Sequence, residues 1–162
     1  MGEEIPVIAA SPAAGEPLMS KWLLEAERWI ADAEEDLRVA KDLLATQHYA
    51  ASCFHSQQAG EKAVKACLYA LGIEARGRSI TSLLETVEKA YGKQLEELSD
   101  DAKLLDKHYS PPRYPNLHPS IEAPAHQLYT RRDAEACLTS AQKILDAMKE
   151  LLKQSSTTHS KT

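Results

Sequence analysis

The sequence has no long hydrophobic run. Nowhere in its 162 residues is there an uninterrupted apolar stretch of the roughly 18 residues that a membrane-spanning helix needs. The N-terminal stretch MGEEIPVIAASPAAGEPLMS also lacks the basic segment and the apolar core of a secretory signal. These absences predict a cytosolic protein without a membrane span.

Cysteine is also scarce, with only Cys53, Cys67 and Cys137 in the chain. Cys53 and Cys67 are expected on one helix, about 21 Å apart at 1.5 Å per residue, which is too far for a disulfide. The spacings match no zinc pattern. We therefore expect buried reduced thiols and neither a metal nor a cofactor.

Positive charge is in short supply overall, since the formal net charge is −5. An acidic chain argues against a general nucleic-acid coat. The bases are nevertheless concentrated between residues 103 and 132. This segment contains five basic residues, two acidic residues and three of the six histidines. A local anion site therefore remains compatible with the acidic balance.

Helical periodicity dominates what is present, and no strand pattern occurs. In the first segment, for example, Trp22, Ala26, Trp29, Ala33 and Leu37 form one apolar stripe. The predicted helices run from about Ser20 to Gln47, from Tyr49 to Leu71, from an N-cap at Ser79 to Gly92, from Ser99 to a point before Pro111, and from Thr130 onward. The prediction is an all-α, antiparallel up-and-down bundle of about five helices over residues 20–153, with a flexible leader at 1–19 and a flexible tail at 154–162.

The longest connection, residues 109–129, is unusually rich in proline. Its prolines are Pro111, Pro112, Pro115, Pro119 and Pro124. Connections of this length in compact domains are usually functional or disordered, and proline stiffness argues against disorder. The sequence around its start, KHYSPPRYPNLHPS at 107–120, therefore holds the candidate site.

Arg113 and His118 are the candidate catalytic pair. Arginine offers a planar fork for phosphate, and histidine is the usual general acid or base near neutral pH. Together they could cleave RNA without a metal, with His118 taking the 2′-hydroxyl proton and Arg113 stabilising the phosphorane. The alternative is that Arg113 pairs with an acid and His118 is an ordinary surface residue.

Other polar residues are candidates for binding a nucleotide or phosphate. Tyr109 and Tyr114 could stack on a base, or pack the loop against helix ends. Gln57, Glu61 and Lys65 share one helical face by i, i+4 spacing, and their alternative role is a hydrogen-bonded polar stripe inside the bundle. The predicted set is Lys107, Tyr109, Arg113, Tyr114, Asn116, Gln57, Glu61 and Lys65.

Three segments resemble the HEPN domain family, named for nucleotide binding in higher eukaryotes and prokaryotes. They are YAASCFHSQQAGEKAVKACL, LLDKHYSPPRYPN and the YT..DAE start of the last helix. The resemblance covers roughly residues 22–152 and implies an antiparallel helical bundle that forms a homodimer. Many members of the family are encoded beside a minimal nucleotidyltransferase, and such pairs can be toxin–antitoxin systems.

The resemblance also bears on the candidate pair. In the nuclease branch an arginine is followed a few residues later by a histidine, and the two face the dimer cleft; Arg113 and His118 fit that spacing. The run RYPN at 113–116 resembles another branch, whose motif is RYP followed by Asn or Asp. The expected function is a nucleotide- or RNA-binding partner of a nucleotidyltransferase. The alternatives are a metal-independent endoribonuclease and a non-catalytic structural or adaptor dimer.

Overall fold

The computed structural model describes residues 18–159, and the side chains of residues 21–155 within them; most of the predicted leader and the last three residues lie outside the described part. The described chain is all-α and contains no strand, as predicted. Five helices are joined by short turns and by one long connection. They are α1 (Leu18–Ala45), α2 (Tyr49–Tyr69), α3 (Ile80–Tyr91), α4 (Ser99–Asp106) and α5 (Arg131–His159).

The helix ends follow the local signals in the sequence. The Ser79 hydroxyl caps α3 by accepting a hydrogen bond from the backbone N–H of Ser82, and Gly92 ends the same helix with a φ of 63°, a conformation that glycine adopts without strain. At the start of α5, Thr130 and Asp133 bond to each other's backbone N–H groups. This is the reciprocal capping box that the run TRRD predicts.

The predicted limits of two helices differ from the observed ones by a few residues. Helix α1 lies at Leu18–Ala45 rather than 20–47, because Gln47 has a φ of 66° and cannot continue a right-handed helix. Helix α2 ends at Tyr69, before the turn around Gly72. Helix α5, for which the sequence predicted a start near Thr130, continues to His159, since no proline or glycine interrupts that stretch.

Helix α2 is the centre of the bundle, with α1, α3 and α5 packed around it. One side of α2 carries small, fully buried side chains, among them Ala59, Ala63 and Ala66. Gly60 belongs to the same surface, where an added Cβ would lie 2.8 Å from the Leu105 side chain. The small side chains therefore allow the neighbouring helices to approach α2 closely.

All three cysteines are free thiols buried in the core, as predicted. Burial raises the pKa of Cys67 to about 12, so this thiol stays protonated at neutral pH. Its neighbour Tyr91 donates a hydrogen bond of 2.6 Å to the Cys67 carbonyl oxygen, and this bond holds α3 against α2.

Within the part of the chain that is described, no helix is long and apolar enough to cross a bilayer.

Candidate anion-binding site

The proline-rich connection between α4 and α5 folds as a series of tight turns. The backbone N–H of Arg113 donates to the carbonyl of Ser110, and short 3-10 helices occupy Pro115–Leu117 and Ala125–Leu128. Pro115 opens the first of these, which suits its fixed φ. The connection is thus held in shape by local hydrogen bonds and by its prolines.

The Arg113 guanidinium lies among three aromatic rings. Its central carbon is 4.5 Å from the ring centroid of Phe54, 4.7 Å from that of Tyr109 and 5.1 Å from that of Tyr114. Each separation is within the range of a cation–π contact. The Arg113 Nε–H also donates to the Tyr109 carbonyl oxygen at 3.1 Å. These contacts hold the guanidinium in place, and Arg113 as a whole remains exposed.

A second arginine shares the Tyr109 ring. The central carbon of the Arg78 guanidinium lies 4.5 Å from the Tyr109 ring centroid, so two cations contact one aromatic side chain. Arg78 comes from the turn before α3, and Phe54 from α2. We refer to Phe54, Arg78, Tyr109 and Arg113 as the arginine–tyrosine cluster. Sequence reasoning did not include Phe54 or Arg78, because neither lies near the connection along the chain.

The two arginines of the cluster lack acidic partners. No carboxylate among the described side chains forms an ion pair with Arg78 or Arg113, and both residues are exposed. The N–H groups of a guanidinium match the geometry of a phosphate, so a phosphate bound to either arginine would supply the anionic partner that it lacks.

The turn that carries Arg78 is tied to the connection by Asp106, the last residue of α4. The Asp106 carboxylate accepts hydrogen bonds from the backbone N–H groups of Ile80 and Thr81, at 2.7 and 3.1 Å. The hydroxyls of Ser79 and Thr81 donate to it as well. Because Asp106 immediately precedes the connection, this network sets Arg78 beside Tyr109.

His118 lies on the inner side of the connection. Its Nε2 is 2.9 Å from the Pro111 carbonyl oxygen, and a carbonyl can only accept, so Nε2 carries the hydrogen. In the neutral ring Nδ1 is then left as the basic nitrogen. The ring also meets Tyr129 edge-on, with centroids 6.2 Å apart, and burial raises the pKa of the Tyr129 hydroxyl.

The remaining predicted site residues fall into two groups. Lys107 and Asn116 are exposed on the connection. Gln57, Glu61 and Lys65 are buried in a row along α2, where Glu61 accepts from both Gln57 and Lys65 at 3.3 Å. The Lys65 ammonium lies 5.8 Å from the Trp29 ring centroid, so the row is directed toward α1. The structure brings together Tyr109, Arg113 and Tyr114, and it gives the α2 row a separate set of contacts.

The fold corresponds to a known class of protein. The family model of the HEPN domain matches residues 26–151, which is most of the chain. The chain therefore belongs to the HEPN domain family. It is similar to a protein of Methanocaldococcus jannaschii named "Putative toxin MJ1304", with 38% identity over 135 residues that cover 80% of this chain and 89% of the relative.

Solved structures show the same similarity. The structure of TT1696 from Thermus thermophilus superposes with a TM-score of 0.73 at 41% identity, covering 78% of this chain and 97% of that one. ST0689, described as an archaeal HEPN homologue, gives 0.64 at 39% identity, with 77% and 95% coverage. A HEPN domain protein from Thermotoga maritima gives 0.62 at 34% identity, with 78% and 98% coverage. These similarities agree with the family resemblance noted in the sequence.

Proposed function

We propose that this HEPN protein binds a phosphate group of RNA or of a nucleotide at the arginine–tyrosine cluster. The proposal rests on the guanidinium groups of Arg78 and Arg113. Both arginines are exposed, both contact the Tyr109 ring, and neither forms an ion pair with a carboxylate among the described side chains. Their N–H groups would bind phosphate oxygens, and the exposed ring of Tyr114 would stack on a base. Lys107 and Asn116 would add contacts to the backbone of the ligand.

The biological setting that we propose is a toxin–antitoxin pair in the cytoplasm. The name of the Methanocaldococcus jannaschii relative supports it, and the RYPN run at 113–116 supports a minimal nucleotidyltransferase as the partner. A homodimer is part of the proposal, because the connection exposes two large aliphatic side chains that a second copy could cover. These are Leu117 and Ile121, with exposed fractions of 44% and 51%.

Fluorescence anisotropy with a labelled single-stranded RNA tests the phosphate site. Replacing Arg113 by Gln removes the charge and the fork, so we expect binding to weaken roughly tenfold. Arg78→Gln should weaken it similarly. A matched control is Arg38→Gln, which removes one exposed arginine from α1, where it pairs with Glu35. Equal affinities for Arg113→Gln and Arg38→Gln would contradict a site at the cluster.

Separate measurements address the partners. Light scattering after gel filtration should give the mass of a dimer, and Leu117→Asp together with Ile121→Asp should shift it to that of one chain. Co-purification with a nucleotidyltransferase encoded beside this chain tests that partnership. A monomeric wild-type protein would exclude the homodimer, and it would leave the phosphate site to be judged by the anisotropy result.

A second candidate function is metal-independent cleavage of RNA, which the hydrogen bond between His118 and Pro111 favours. By holding the hydrogen on Nε2, that bond leaves Nδ1 ready to accept a proton from a 2′-hydroxyl. In EDTA, wild-type protein should cleave RNA to products with 2′,3′-cyclic phosphate ends, and His118→Ala should not. Cleavage at the same rate by the variant would remove His118 from the reaction.

A non-catalytic adaptor is the third alternative from the sequence, and the same assays separate it from the others. An adaptor would bind its partner protein but neither RNA nor nucleotides. Its partner binding would also be insensitive to Arg113→Gln. Thermal-shift measurements with a panel of nucleotides give an independent check, since a ligand that binds only the folded state raises the melting temperature.

A further inference from the structure

A second group of chemically active side chains lies in the core below the connection. The Cys53 thiol of α2, the Cys137 thiol of α5 and the His108 imidazole just after α4 converge there. One ligand atom from each residue lies within 4.8 Å of the other two. Both cysteines are fully buried, with exposed fractions of 0%. None of these three residues belongs to the arginine–tyrosine cluster.

The His108 ring in this group has an unexplained nitrogen. Its Nδ1 is buried and forms no hydrogen bond of good geometry among the described residues, and its polar neighbour is the Cys137 thiol, with which the ring makes only a weak contact. A buried polar atom left unsatisfied costs about 1–3 kcal/mol, so native proteins rarely contain one without a reason. The ring is held in place by an edge contact with Tyr129, with centroids 5.6 Å apart. A metal ion would give this nitrogen a partner.

We propose that Cys53, His108 and Cys137 form a zinc site. Two thiolates and one imidazole are a donor set that zinc favours, and magnesium and calcium prefer oxygen ligands. On binding, Zn²⁺ would replace the proton of each thiol and release both protons to solvent. The two thiolate charges would balance the charge of the ion, which makes the site compatible with a buried position.

The site would have an open fourth position. Structural zinc is usually four-coordinate, and the cluster supplies three protein ligands. Asp133 lies one turn before Cys137 on the same face of α5, and its Oδ2 already accepts the capping hydrogen bonds from Thr130. Because the Asp133 carboxylate is not among the ligand atoms that lie within 4.8 Å of one another, a water molecule would complete the tetrahedron.

A zinc ion in this position would join three separate parts of the fold. Its ligands come from the second turn of α2, from the residues just after α4 and from the second turn of α5. The ion would therefore hold both ends of the proline-rich connection against α2. Spacing along the sequence does not reveal this set, because the three ligands are far apart in the chain and match no local zinc motif.

Metal reconstitution of the full, untagged chain tests the proposal. The protein is reduced with a phosphine, stripped with EDTA, incubated with ZnCl₂ or CoCl₂ and desalted before metal analysis. We expect about one ion per chain, as a single site of this type requires. The cobalt form should show a thiolate-to-metal charge-transfer band and the strong visible bands of tetrahedral cobalt.

The third cysteine supplies the matched control. Cys67→Ala removes another fully buried thiol of α2 that is not part of the group, and it should bind zinc like the wild type. Cys53→Ala, Cys137→Ala and His108→Gln should each lose at least tenfold in zinc affinity. Circular dichroism confirms that each variant is folded, and zinc should raise the melting temperature of only the wild type and Cys67→Ala.

Two results would overturn the zinc site. One is reduced, folded wild-type protein that retains no metal after desalting. The other is an equal zinc affinity in Cys137→Ala and Cys67→Ala, whether both variants keep the affinity of the wild type or both lose it. If the thiol pair instead served only as a disulfide, reduced protein would fail the metal test and mass spectrometry of the oxidised protein would show a Cys53–Cys137 bond; that outcome also contradicts the proposal.

Discussion

The Asp106 carboxylate accepts a hydrogen bond of 2.7 Å from the backbone N–H of Ile80. Through this contact the last residue of α4 caps the first turn of α3. Arg78 lies in the turn that leads into α3, and Arg113 lies in the connection that follows α4. The bond between Asp106 and Ile80 joins these two helices. A structural cap therefore also positions the two cations of the candidate site.

Replacement of Asp106 by Ala should affect both stability and ligand binding. The variant leaves two backbone N–H groups of α3 without their acceptor, and we expect a loss of about 2 kcal/mol in the free energy of unfolding. Urea denaturation measures this loss. Asp100→Ala removes an exposed acid from the first turn of α4 and should cost only a few tenths of a kcal/mol, about the size of a dipole effect. Similar losses in the two variants would contradict the capping role.

The salt dependence of RNA binding should report the number of arginines in contact with phosphate. For single-stranded nucleic acid, the logarithm of the binding constant falls against the logarithm of salt concentration with a slope of about −0.7 per neutralised phosphate. Arg78→Gln and Arg113→Gln should each reduce the magnitude of the slope by about 0.7. Anisotropy titrations at several salt concentrations measure it. An unchanged slope would place that arginine away from the RNA.

Alkaline pH should weaken the bundle through Cys67. Burial raises the pKa of this thiol to about 12 from the ordinary 9.0, so the folded state holds a proton that the unfolded state releases. The stability that the protonated Cys67 thiol adds to the folded state is present in full below pH 9, and it is lost as pH rises toward 12. Within this window the loss approaches about 1.4 kcal/mol per pH unit. Urea titrations at several alkaline pH values measure it, and Cys67→Ala should flatten the dependence.

Because Gln47 has a positive φ, replacing it by glycine should raise the stability of the protein. The residue ends α1 with a φ of 66°, a left-handed conformation that costs an L-residue roughly 1 kcal/mol and costs glycine little. Gln47→Gly should therefore raise the free energy of unfolding by about 0.5–1 kcal/mol. Gly92→Ala is the opposite control, because Gly92 has a φ of 63° with open space around it, and it should destabilise. Thermal denaturation of both variants checks the pair; a lower melting temperature for Gln47→Gly would contradict the strain argument.

The architecture could be predicted because its signals are local. Apolar spacing identified the helices, and Ser79, Gly92 and Thr130 marked three of their ends. The limits of α1 were displaced because Gln47 has no recognisable stop signal: its left-handed conformation is imposed by the tight turn into α2. A periodic pattern locates a helix well, but the residues at its ends depend on the packing of the next element.

The candidate site could be predicted only in part. Arg113, Tyr109 and Tyr114 lie close together in the sequence, and the structure brings them together. Phe54 and Arg78 complete the cluster from α2 and from the turn before α3, and their approach depends on the tertiary fold. The group of Cys53, His108 and Cys137 likewise requires three elements to be packed before its members meet.

The buried row on α2 has a consequence for the uniqueness of the fold. A ridge of small residues alone would let one helix slide or turn against another at little energetic cost. The Lys65 ammonium is bonded to Glu61 of the same helix at 3.3 Å and faces the Trp29 ring of α1, so only its contact with Trp29 depends on how α2 is aligned with α1. Sliding α2 by one turn would keep the ion pair but lose the cation–π contact, at a cost of about 0.5–2 kcal/mol. We expect this contact to favour a single register of α2 against α1.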